Sequence, residues 1–468
     1  MPKDSFLLES LERQVLWSVR KWQIHSVIKL IEALHVHQET TFRCQMLSEA
    51  KSIIEKRWVE ISNPYDIVSL MYIFDKPKDR VVFSKVQERA LDLVDSMVPS
   101  SLYKVLYLSS KQKVRNTPLI RASVYHLNKK GVNLELFQLA NLLYACSSLN
   151  IYDDSLLTTT LESIKDKLST MDSPKTALMM LKSVSILRWH QNDAVDSILG
   201  YLGNHLSKLS AIDKVGIVLS IARLNHISPT TKKLVGKFSA DEFKELKESS
   251  PMLYLDYVWS LCVLRYADES TVSSVLSSDF HSRVTGDSVE EYHRQVASIK
   301  LMNVQTSARH DLTSYSGPTL PADWLTNISQ NLIRPGRPLS ESVVSALTST
   351  APVDRFTKID VLTPFGYFLD VEMFVNQSGQ PLPYQQTSEN KTPNTSRIGL
   401  KILNFPDMTQ KSVHPVGLHV MARRHLEREG FTVVELPYHE LSDKGTVVQK
   451  VQYIQNKIKQ AVSPPTST

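Results

Sequence analysis

The sequence contains little glycine and almost no cysteine. Of its 468 residues, 14 are glycine and 3 are cysteine. So few glycines argue against a fold built on many tight turns and favour helices. The cysteines Cys44, Cys146 and Cys262 lie far apart without a CxxC pair or a disulfide framework, which favours a reducing compartment. No apolar run is long enough to form a membrane-spanning helix.

The sequence also lacks the motifs of kinases and of nucleotide-binding loops. It contains no glycine-rich loop, no HRD, no DFG and no Walker A motif. The closely spaced pair His35 and His37 has no further ligand nearby, so we expect no metal site there.

The composition is that of a globular protein with a mild basic excess. Hydrophobic residues make up 42% of the chain and charged residues 22%, which argues against a disordered chain. The length predicts about two to four domains. The net charge of +6 is compatible with nucleic-acid binding but does not identify it.

An apolar phrase of about twelve residues recurs between residues 25 and 266. Each instance ends in a leucine or phenylalanine followed by a polar or aromatic residue, except for a weaker phrase at 102–110. The closing leucines Leu149, Leu187, Leu224 and Leu264 lie 38, 37 and 40 residues apart. The phrases cover residues 27–35, 67–75, 102–110, 139–150, 178–189, 215–226 and 255–266.

This period predicts a solenoid of helical hairpins. Within each phrase, apolar residues recur at three- and four-residue intervals, and one hairpin cannot bury its own apolar face. Ser, Asp or Asn residues followed by Pro64, Pro174 and Pro251 predict three of the helix starts. Such an array offers a face for single-stranded RNA or for a protein partner.

The last third of the chain predicts a linker and a small α/β module. Residues 303–355 are rich in Ser, Thr, Pro and Gly, which predicts an irregular connection with one helix at 323–332. The strings YFLDVEMFV, GLKILNF and FTVVELP have the composition of strands. HVMARRHLEREG predicts a helix that ends at Gly430, and residues 379–396 predict a long loop between the first two strands.

These strings carry a family resemblance. They resemble the FAST kinase domain-containing family of mitochondrial RNA regulators. The resemblance rests on the blocks TPFGYFLD, PLP, RRH and GFTVVELPYHE, on the lysine-rich helix that follows, and on LDYVWSLCVLRY upstream. The resemblance runs from about residue 134 to the end of the chain. It implies a mostly α fold, in which an octotricopeptide-like α-solenoid precedes a C-terminal RAP domain with a PD-(D/E)xK nuclease-like α/β fold.

The resemblance also implies a domain order and a function. We expect a repeat region at 1–300, a second FAST block and linker at 301–356, a nuclease-like module at 357–460 with its RAP domain at about 398–458, and a disordered tail at 461–468. The implied function is non-catalytic binding of mitochondrial mRNA in the matrix, which regulates its stability or processing. Asp4, Glu9 and Glu12 make the N-terminus unlike a transit peptide.

The nuclease resemblance points to three candidate catalytic residues. Such enzymes hold Mg²⁺ with carboxylates on neighbouring strands, beside a lysine. Asp370, Glu372 and Lys401 fit that pattern, but Gly399 stands where the second strand needs its carboxylate. We therefore expect no enzyme activity and no cofactor, with Mg²⁺ required only if the module is a nuclease.

The C-terminal module also carries most of the basic excess. Residues 396–460 contain ten Lys or Arg and six Asp or Glu, and Arg424 and Arg428 share one helical face. The alternative is that these arginines cover the sheet and pair with Glu427 and Glu429. The predicted RNA-binding residues are Arg397, Lys401, Arg423, Arg424, His425 and Arg428.

Further basic residues are scattered through the repeats, and two other functions stay open. The scattered residues are Lys111, Lys113, Arg115, Lys129, Lys130, Lys232 and Lys233. One alternative function is a metal-dependent endoribonuclease, and the other is a protein-interaction scaffold with other RNA-processing proteins as partners.

Overall fold

The computed structural model describes residues 5–36, 41–74, 79–331, 345–346, 348–349, 355–384 and 394–463. The chain forms two compact units, residues 1–187 and residues 188–468. In the described part of the chain, no helix is both long and apolar enough to cross a membrane.

The first unit consists of helices throughout its described residues. The apolar part of each predicted repeat phrase in this unit lies in an even-numbered helix. The helices are α1 (Ser5–Ser18), α2 (Ile24–Val36), α3 (Thr41–Arg57), α4 (Pro64–Ile73), α5 (Arg80–Leu93), α6 (Pro99–Lys111), α7 (Thr117–Lys130), α8 (Leu136–Leu149), α9 (Asp154–Lys167) and α10 (Pro174–Leu187).

The helices of this unit stack in two layers. Helices α2, α4, α6, α8 and α10 pack side by side in chain order, and α3, α5, α7 and α9 form the other layer. The apolar faces meet between them, where residues such as Leu102, Leu142 and Leu181 are fully buried. The predicted helical-hairpin repeat is therefore confirmed within this unit.

The polar residue that closes each phrase has a structural reason. This residue adopts a positive φ, between +51° and +62°, in four phrases, where it is Asn150, Arg188, Asn225 and Arg265. Each follows a buried leucine that ends its helix, so the chain leaves the helix through the left-handed region. Asparagine tolerates that region because its short amide bonds the local backbone, which explains the Leu-Asn pairs of the sequence.

The second unit combines helices with a small sheet. Its helices and strands are β1 (Trp189–His190), α11 (Asn192–Asn204), α12 (Ala211–Leu224), α13 (Pro229–Val235), α14 (Lys244–Ser249), α15 (Pro251–Leu264), α16 (Glu269–Leu276), α17 (Ser278–Thr285), α18 (Glu291–His310), α19 (Ala322–Asn331), β2 (Thr357–Leu362), β3 (Phe368–Asn376), β4 (Pro381–Leu382), β5 (Thr395–Leu403), β6 (Gln410–Lys411), α20 (Gly417–Arg428), β7 (Phe431–Pro437), α21 (Tyr438–Ser442) and α22 (Val447–Val462).

Helix α18 extends into the segment predicted as a linker. Its buried Leu301, Met302 and Val304 continue the apolar face, so residues 303–310 are helical although they are rich in polar residues. Helix α19 matches the helix expected at 323–332. Residues 332–344 and 350–354 of the predicted linker lie outside the described residues.

The sheet of the C-terminal module is mixed. Strands β2, β3 and β5 are antiparallel neighbours, and β7 lies parallel to β5 after the crossover through α20. Val371, Met373 and Leu400 belong to a buried core with two residues of the last helix, Ile454 and Ile458. The predicted α/β module is confirmed, and β2 is an additional strand.

Two predicted segments are only partly described. Within the loop expected at 379–396, strand β4 pairs with β3, and residues 385–393 lie outside the described residues. Of the expected disordered tail, residues 461–463 are described as the end of α22 and the bend after it, and residues 464–468 are not described.

Helix α20 packs closely on the repeat helices of its own unit. It contacts α12, α15 and α18 on one side and β7 on the other. At its first residue, a methyl group on Gly417 would overlap the carbonyl oxygen of Ala222 and lie 2.6 Å from Val263 Cγ1. This position therefore requires glycine, because the helix backbone touches the backbone of α12.

We predict that Gly417→Ala destabilises the second unit by about 2 kcal/mol or more, because the added methyl group forces α20 away from α12. Chemical unfolding monitored by circular dichroism measures the change. Gly200→Ala is the matched control, since no atom lies within 4 Å of its added methyl group inside helix α11. Alanine should stabilise that helix by about 0.5–1 kcal/mol. Equal effects at the two positions would contradict the inferred packing.

Candidate nucleic-acid interface

The predicted catalytic residues lie together on strands β3 and β5. Asp370 is fully buried, and its carboxylate accepts a hydrogen bond from the backbone N–H of Ile402 at 2.6 Å. Glu372 is buried and accepts from Arg397 Nε at 2.7 Å. Lys401 is also buried, on the next strand. The structure thus brings the three side chains to one region but surrounds them with protein groups.

The position where the nuclease pattern needs its missing carboxylate is tightly packed in this sheet. Gly399 pairs with Glu372 across the two strands. A Cβ atom at Gly399 would lie 3.2 Å from both Leu369 Cδ2 and Phe431 Cδ1, so a longer acidic side chain would require both to move. No cluster of three or more metal-ligating side chains occurs among residues the structure describes. The residues present do not fit the Mg²⁺ site of a nuclease.

Lys401 lines a cavity of about 770 Å³ at the end of strand β5. Asp407 and His419 line the same cavity, with His419 Nε2 3.1 Å from Asp407 Oδ1. Burial opposes ionisation of Asp407, but the hydrogen bond from His419 and the charge of Lys401 hold its pKa below the usual value. Burial lowers the pKa of His419, so this ring is neutral at pH 7. Phe405 and Tyr438 form an aromatic wall of the cavity.

The RRH motif of α20 faces the end of helix α18. Asp311, the residue after α18, lies 2.8 Å from Arg424 Nη2, 2.8 Å from Arg428 Nη1 and 2.9 Å from His425 Nε2. Only 8% of the Asp311 side chain is exposed. Arg424 and Arg428 share one helical face, as their spacing predicts, but this face docks α20 onto the end of α18.

The position of Asp311 requires these partners. A carboxylate at the C-terminal end of a helix faces the negative end of the helix dipole. Burial also opposes its ionisation, but hydrogen bonds from His425 and Arg424 prevail and hold the pKa of Asp311 well below its usual range. The motif therefore neutralises a buried charge.

His425 is fully buried in this network. The hydroxyl of Tyr367 donates to His425 Nδ1 at 2.7 Å, and burial raises the pKa of Tyr367 so that it keeps its proton. Burial also lowers the pKa of His425, and the neutral ring donates from Nε2 to Asp311. An imidazole without exposed surface cannot contact RNA in this conformation, which corrects the expectation for His425.

Three of the predicted arginines remain accessible, and one of them, Arg428, has a side chain that is 37% exposed although it contacts Asp311. The Arg423 side chain is 50% exposed and lies 3.3 Å from Glu435. The Arg397 side chain is 40% exposed, pairs with Glu372 and covers the ring of Phe431 at 4.0 Å. Their contact with RNA stays a prediction.

A second surface arises from the stacked helices of the first unit. Helices α4, α6, α8 and α10 expose one stripe each at three- and four-residue spacing, and these stripes carry aromatic rings and lysines. We call this surface the aromatic–lysine stripe. It consists of Tyr65, Tyr72, Lys104, Tyr107, Lys111, Phe137, Tyr144, Lys175 and Lys182.

The aromatic–lysine stripe continues from helix to helix. The rings of Tyr107 and Tyr144, on neighbouring helices, lie edge to face at 6.1 Å, and Lys111 Nζ lies 5.2 Å from the Tyr107 ring centre. Phe137 is 63% exposed and Tyr72 is 61% exposed, although large aromatic side chains usually bury their rings. Helices α6, α8 and α10 together contain no Asp or Glu.

Such a surface suits single-stranded nucleic acid. Aromatic rings stack on bases of any sequence, and lysines contact the phosphates between them. The absence of carboxylates from α6, α8 and α10 removes local repulsion of the phosphates.

The scattered basic residues of the repeats have mixed positions. Lys111 belongs to the aromatic–lysine stripe, whereas Arg115 donates to the carbonyl of Leu149 at 3.0 Å and Lys130 to that of Met97 at 2.8 Å. The last two therefore join neighbouring repeats. Lys129 is exposed at the end of α7, in the other layer.

The comparisons with known protein families match three segments. FAST kinase-like protein subdomain 1 matches residues 215–285, and FAST kinase-like protein subdomain 2 matches residues 298–383. The RAP domain matches residues 404–457. The hydrogen bonds of Asp311 thus join the segment of subdomain 2 to helix α20 of the RAP domain.

The similar proteins carry the same family name. FAST kinase domain-containing protein 4 of Homo sapiens is 26% identical over 99% of this chain and 74% of its own length. FAST kinase domain-containing protein 3, mitochondrial, of Rattus norvegicus is 23% identical over 93% of this chain and 67% of its own. FAST kinase domain-containing protein 1, mitochondrial, of Xenopus tropicalis is 19% identical over 96% and 58%.

We predict that Asp311→Asn destabilises the protein by about 3 kcal/mol, because it leaves Arg424, whose side chain is only 15% exposed, without a counter-ion. Denaturant unfolding measures the loss. The folded pKa of Asp311 is depressed, so its contribution is present above the unfolded pKa of about 4 and is lost as pH falls through the folded pKa. The difference between wild type and variant should therefore be constant from about pH 6 to 8 and shrink in acid.

Glu427→Gln is the control for this prediction, since Glu427 is exposed and lies 3.8 Å from Arg423 on the same helix. It should change stability by less than about 0.5 kcal/mol. If Asp311→Asn also lowers stability by less than about 0.5 kcal/mol, the network does not hold α20 in place.

Proposed function

We propose that this chain, a member of the FAST kinase domain-containing family, binds single-stranded mitochondrial mRNA without cleaving it. Through this binding it regulates the stability or processing of that RNA. The RAP domain supports an RNA-associated role. The names of two similar proteins include the word mitochondrial, which supports the same compartment, and we propose the matrix within it.

The aromatic–lysine stripe is the observation that carries this proposal. It supplies the two contacts that sequence-tolerant binding of single strands requires, which are rings for the bases and cations for the phosphates. The rings come from α4, α6 and α8 and the lysines from α6 and α10, so a strand that runs along successive helices meets both kinds of contact. A duplex hides its base faces in its own stacking and offers no ring to this surface.

The proposed mechanism is protection by occupancy. RNA held along the stripe is covered over several nucleotides, and a nuclease cannot reach the covered phosphodiesters. The exposed cations Arg397 and Arg423 of the C-terminal module would add electrostatic attraction. No protein group has to take part in bond cleavage.

The endoribonuclease alternative conflicts with the local packing. Its second strand needs a carboxylate at Gly399, where any side chain would have to displace Leu369 and Phe431. Asp370 already accepts a backbone hydrogen bond from Ile402 in the sheet. We therefore propose that the nuclease-like module is a binding and docking domain.

The scaffold alternative shares one observation with our proposal, because exposed tyrosines also suit protein interfaces. Lysine is depleted at protein interfaces, whereas it is common at phosphate contacts. The four lysines of α6 and α10 therefore favour RNA over a protein partner.

We predict that the full-length protein binds an unstructured RNA oligonucleotide with an affinity that falls steeply with salt. Tyr72→Ala and Phe137→Ala should each weaken binding about 5- to 100-fold through the loss of one stacking platform. Lys104→Gln and Lys182→Gln should each reduce the slope of log K against log salt by about 0.7. Fluorescence anisotropy across a salt series measures both effects.

Matched controls lie on the other layer of the same unit. Tyr125→Ala removes a ring that is 60% exposed on α7, and Lys129→Gln removes a cation at the end of that helix. Neither should change RNA affinity by more than about twofold, because neither side chain lies on the stripe. Equal losses from stripe and control variants would refute the proposed binding surface.

We predict that bound RNA keeps its full length during incubation with Mg²⁺ or Mn²⁺, because the second metal carboxylate is absent at Gly399. Denaturing gel electrophoresis of end-labelled RNA measures this. Metal-dependent shortening that Asp370→Asn abolishes would establish the nuclease instead. Shortening that persists in that variant would identify a contaminating enzyme.

A further inference from the structure

The cavity at the end of strand β5 has the size of a small-molecule pocket. Its volume of about 770 Å³ lies within the range of about 300–1,000 Å³ that such pockets occupy. Its walls come from α18, from the turn before β3, from β5 and the turn after it, from α20 and from α21. A recess with walls from so many elements suits the end of a strand, because a strand that passes through needs two open sides.

One wall of this cavity is aromatic. The rings of Phe405 and Tyr438 meet edge to face with their centres 5.5 Å apart. The guanidinium carbon of Arg188 lies 5.3 Å from the centre of the Phe405 ring, so this ring is held by two neighbours. Aromatic side chains stack on bases of any identity, because every base has a π-face. The wall therefore suits a nucleobase without selecting a particular one.

Another part of the wall offers hydrogen-bond acceptors. Asp407 Oδ2 accepts from the backbone N–H of Asn404 at 2.8 Å, and Asp407 Oδ1 accepts from His419 Nε2 at 3.1 Å. Each oxygen of an ionised carboxylate can accept two hydrogen bonds, so both keep capacity for a ligand. The neutral ring of His419 has a further acceptor, Nδ1, which is buried and has no hydrogen-bond partner among the residues that the structure describes. Such a wall suits ligand hydroxyl groups and repels a phosphate.

Lys401 supplies a cation to the same cavity. Its side chain lines the cavity from β5, and the residue is only 6% exposed. Burial and, after it, the charge of Lys401 lower the pKa of His419, so the ammonium group acts on the part of the wall that carries the acceptors. A cation beside acceptors fits a ligand with one phosphodiester and free hydroxyl groups. The 3′-terminal nucleotide of an RNA has this composition.

We propose that this cavity binds the 3′-terminal nucleotide of the bound RNA. The terminal base packs against Phe405 and Tyr438. The ribose 2′- and 3′-hydroxyls donate to Asp407, as ribose hydroxyls donate to acidic side chains in nucleotide sites, and Lys401 contacts the last phosphodiester. This inference rests on the proposed RNA binding and adds selection for a free 3′ end. An end held in this way is closed to exonucleases that start there.

The test is competition against a 5′-labelled single-stranded RNA bound to the full-length protein, followed by fluorescence anisotropy. Four competitors share one sequence. Three are linear and carry both 3′-terminal hydroxyls, neither hydroxyl, or a 3′-phosphate, and the fourth is a circle without ends. The RNA with both hydroxyls should compete about 10- to 100-fold better than each of the others, because only this RNA donates two hydrogen bonds to an ionised carboxylate.

Two variants and one control locate this preference. Asp407→Asn should reduce it to about threefold or less, because a neutral amide has one accepting oxygen instead of two. Tyr438→Leu should weaken competition by the hydroxyl-ended RNA about 5- to 100-fold and leave the circle unchanged. Asp443→Asn removes an exposed carboxylate of the same module that does not line the cavity, and it should leave the preference intact. The ratio between linear and circular RNA does not depend on the folded fraction of a variant.

The outcomes separate this inference from the proposed function. Failure of every RNA to bind would refute the proposed function. Equal competition by all four RNAs, or a preference that Asp407→Asn and Tyr438→Leu both leave intact, would overturn the role of the cavity alone. Stronger competition by the 3′-phosphate would also overturn it, since the cavity would then prefer an anion. If adenosine 5′-monophosphate competes as well as the hydroxyl-ended RNA, the cavity binds a free nucleotide and the assignment to an RNA end is wrong.

Discussion

The stacking of apolar helix faces is the constraint on which the candidate interface depends. A single hairpin of this chain leaves its apolar face exposed, so each even-numbered helix of the first unit packs against the next. This packing fixes the offset between neighbours at about 37 residues, as the contact between Tyr107 and Tyr144 demonstrates. Side chains that point away from the core therefore align in rows. The aromatic–lysine stripe follows from the same register that buries the leucines.

The C-terminal module illustrates why a basic motif is weak support for phosphate binding. On α20, Arg424, His425 and Arg428 all contact the carboxylate of Asp311, whereas Arg423 lies beside Glu435. A buried carboxylate at a helix C-terminus needs several donors, and these residues supply them. A motif of this kind can thus be retained for docking between subdomain 2 and the RAP domain.

The sequence predicted the repeat, the α/β module and the loss of the metal carboxylate, because each rests on local information. Residues close to each other in the chain are enough to predict the helix periodicity and the position of Gly399 in its strand. The same holds for the residues of positive φ that follow the closing leucines. The role of Arg424 could not be predicted in this way, because Asp311 lies 113 residues away and only the fold brings the two together. The aromatic–lysine stripe could have been found by placing the exposed positions of α6, α8 and α10 in register.

The polar groups around α20 and those of the aromatic–lysine stripe differ in what they contact. Around α20, the side chains of Asp311 and His425 contact each other and further partners, which is the arrangement that holds a domain in place. On the stripe, the rings of Tyr72 and Phe137 are 61% and 63% exposed, and α6 and α10 contribute lysines without any carboxylate. Exposed aromatic rings gain most from a partner that covers them, because burial of their apolar surface then contributes to binding and not to folding. The repeats, more than α20, are therefore the part of the chain to which our proposal assigns the bound strand.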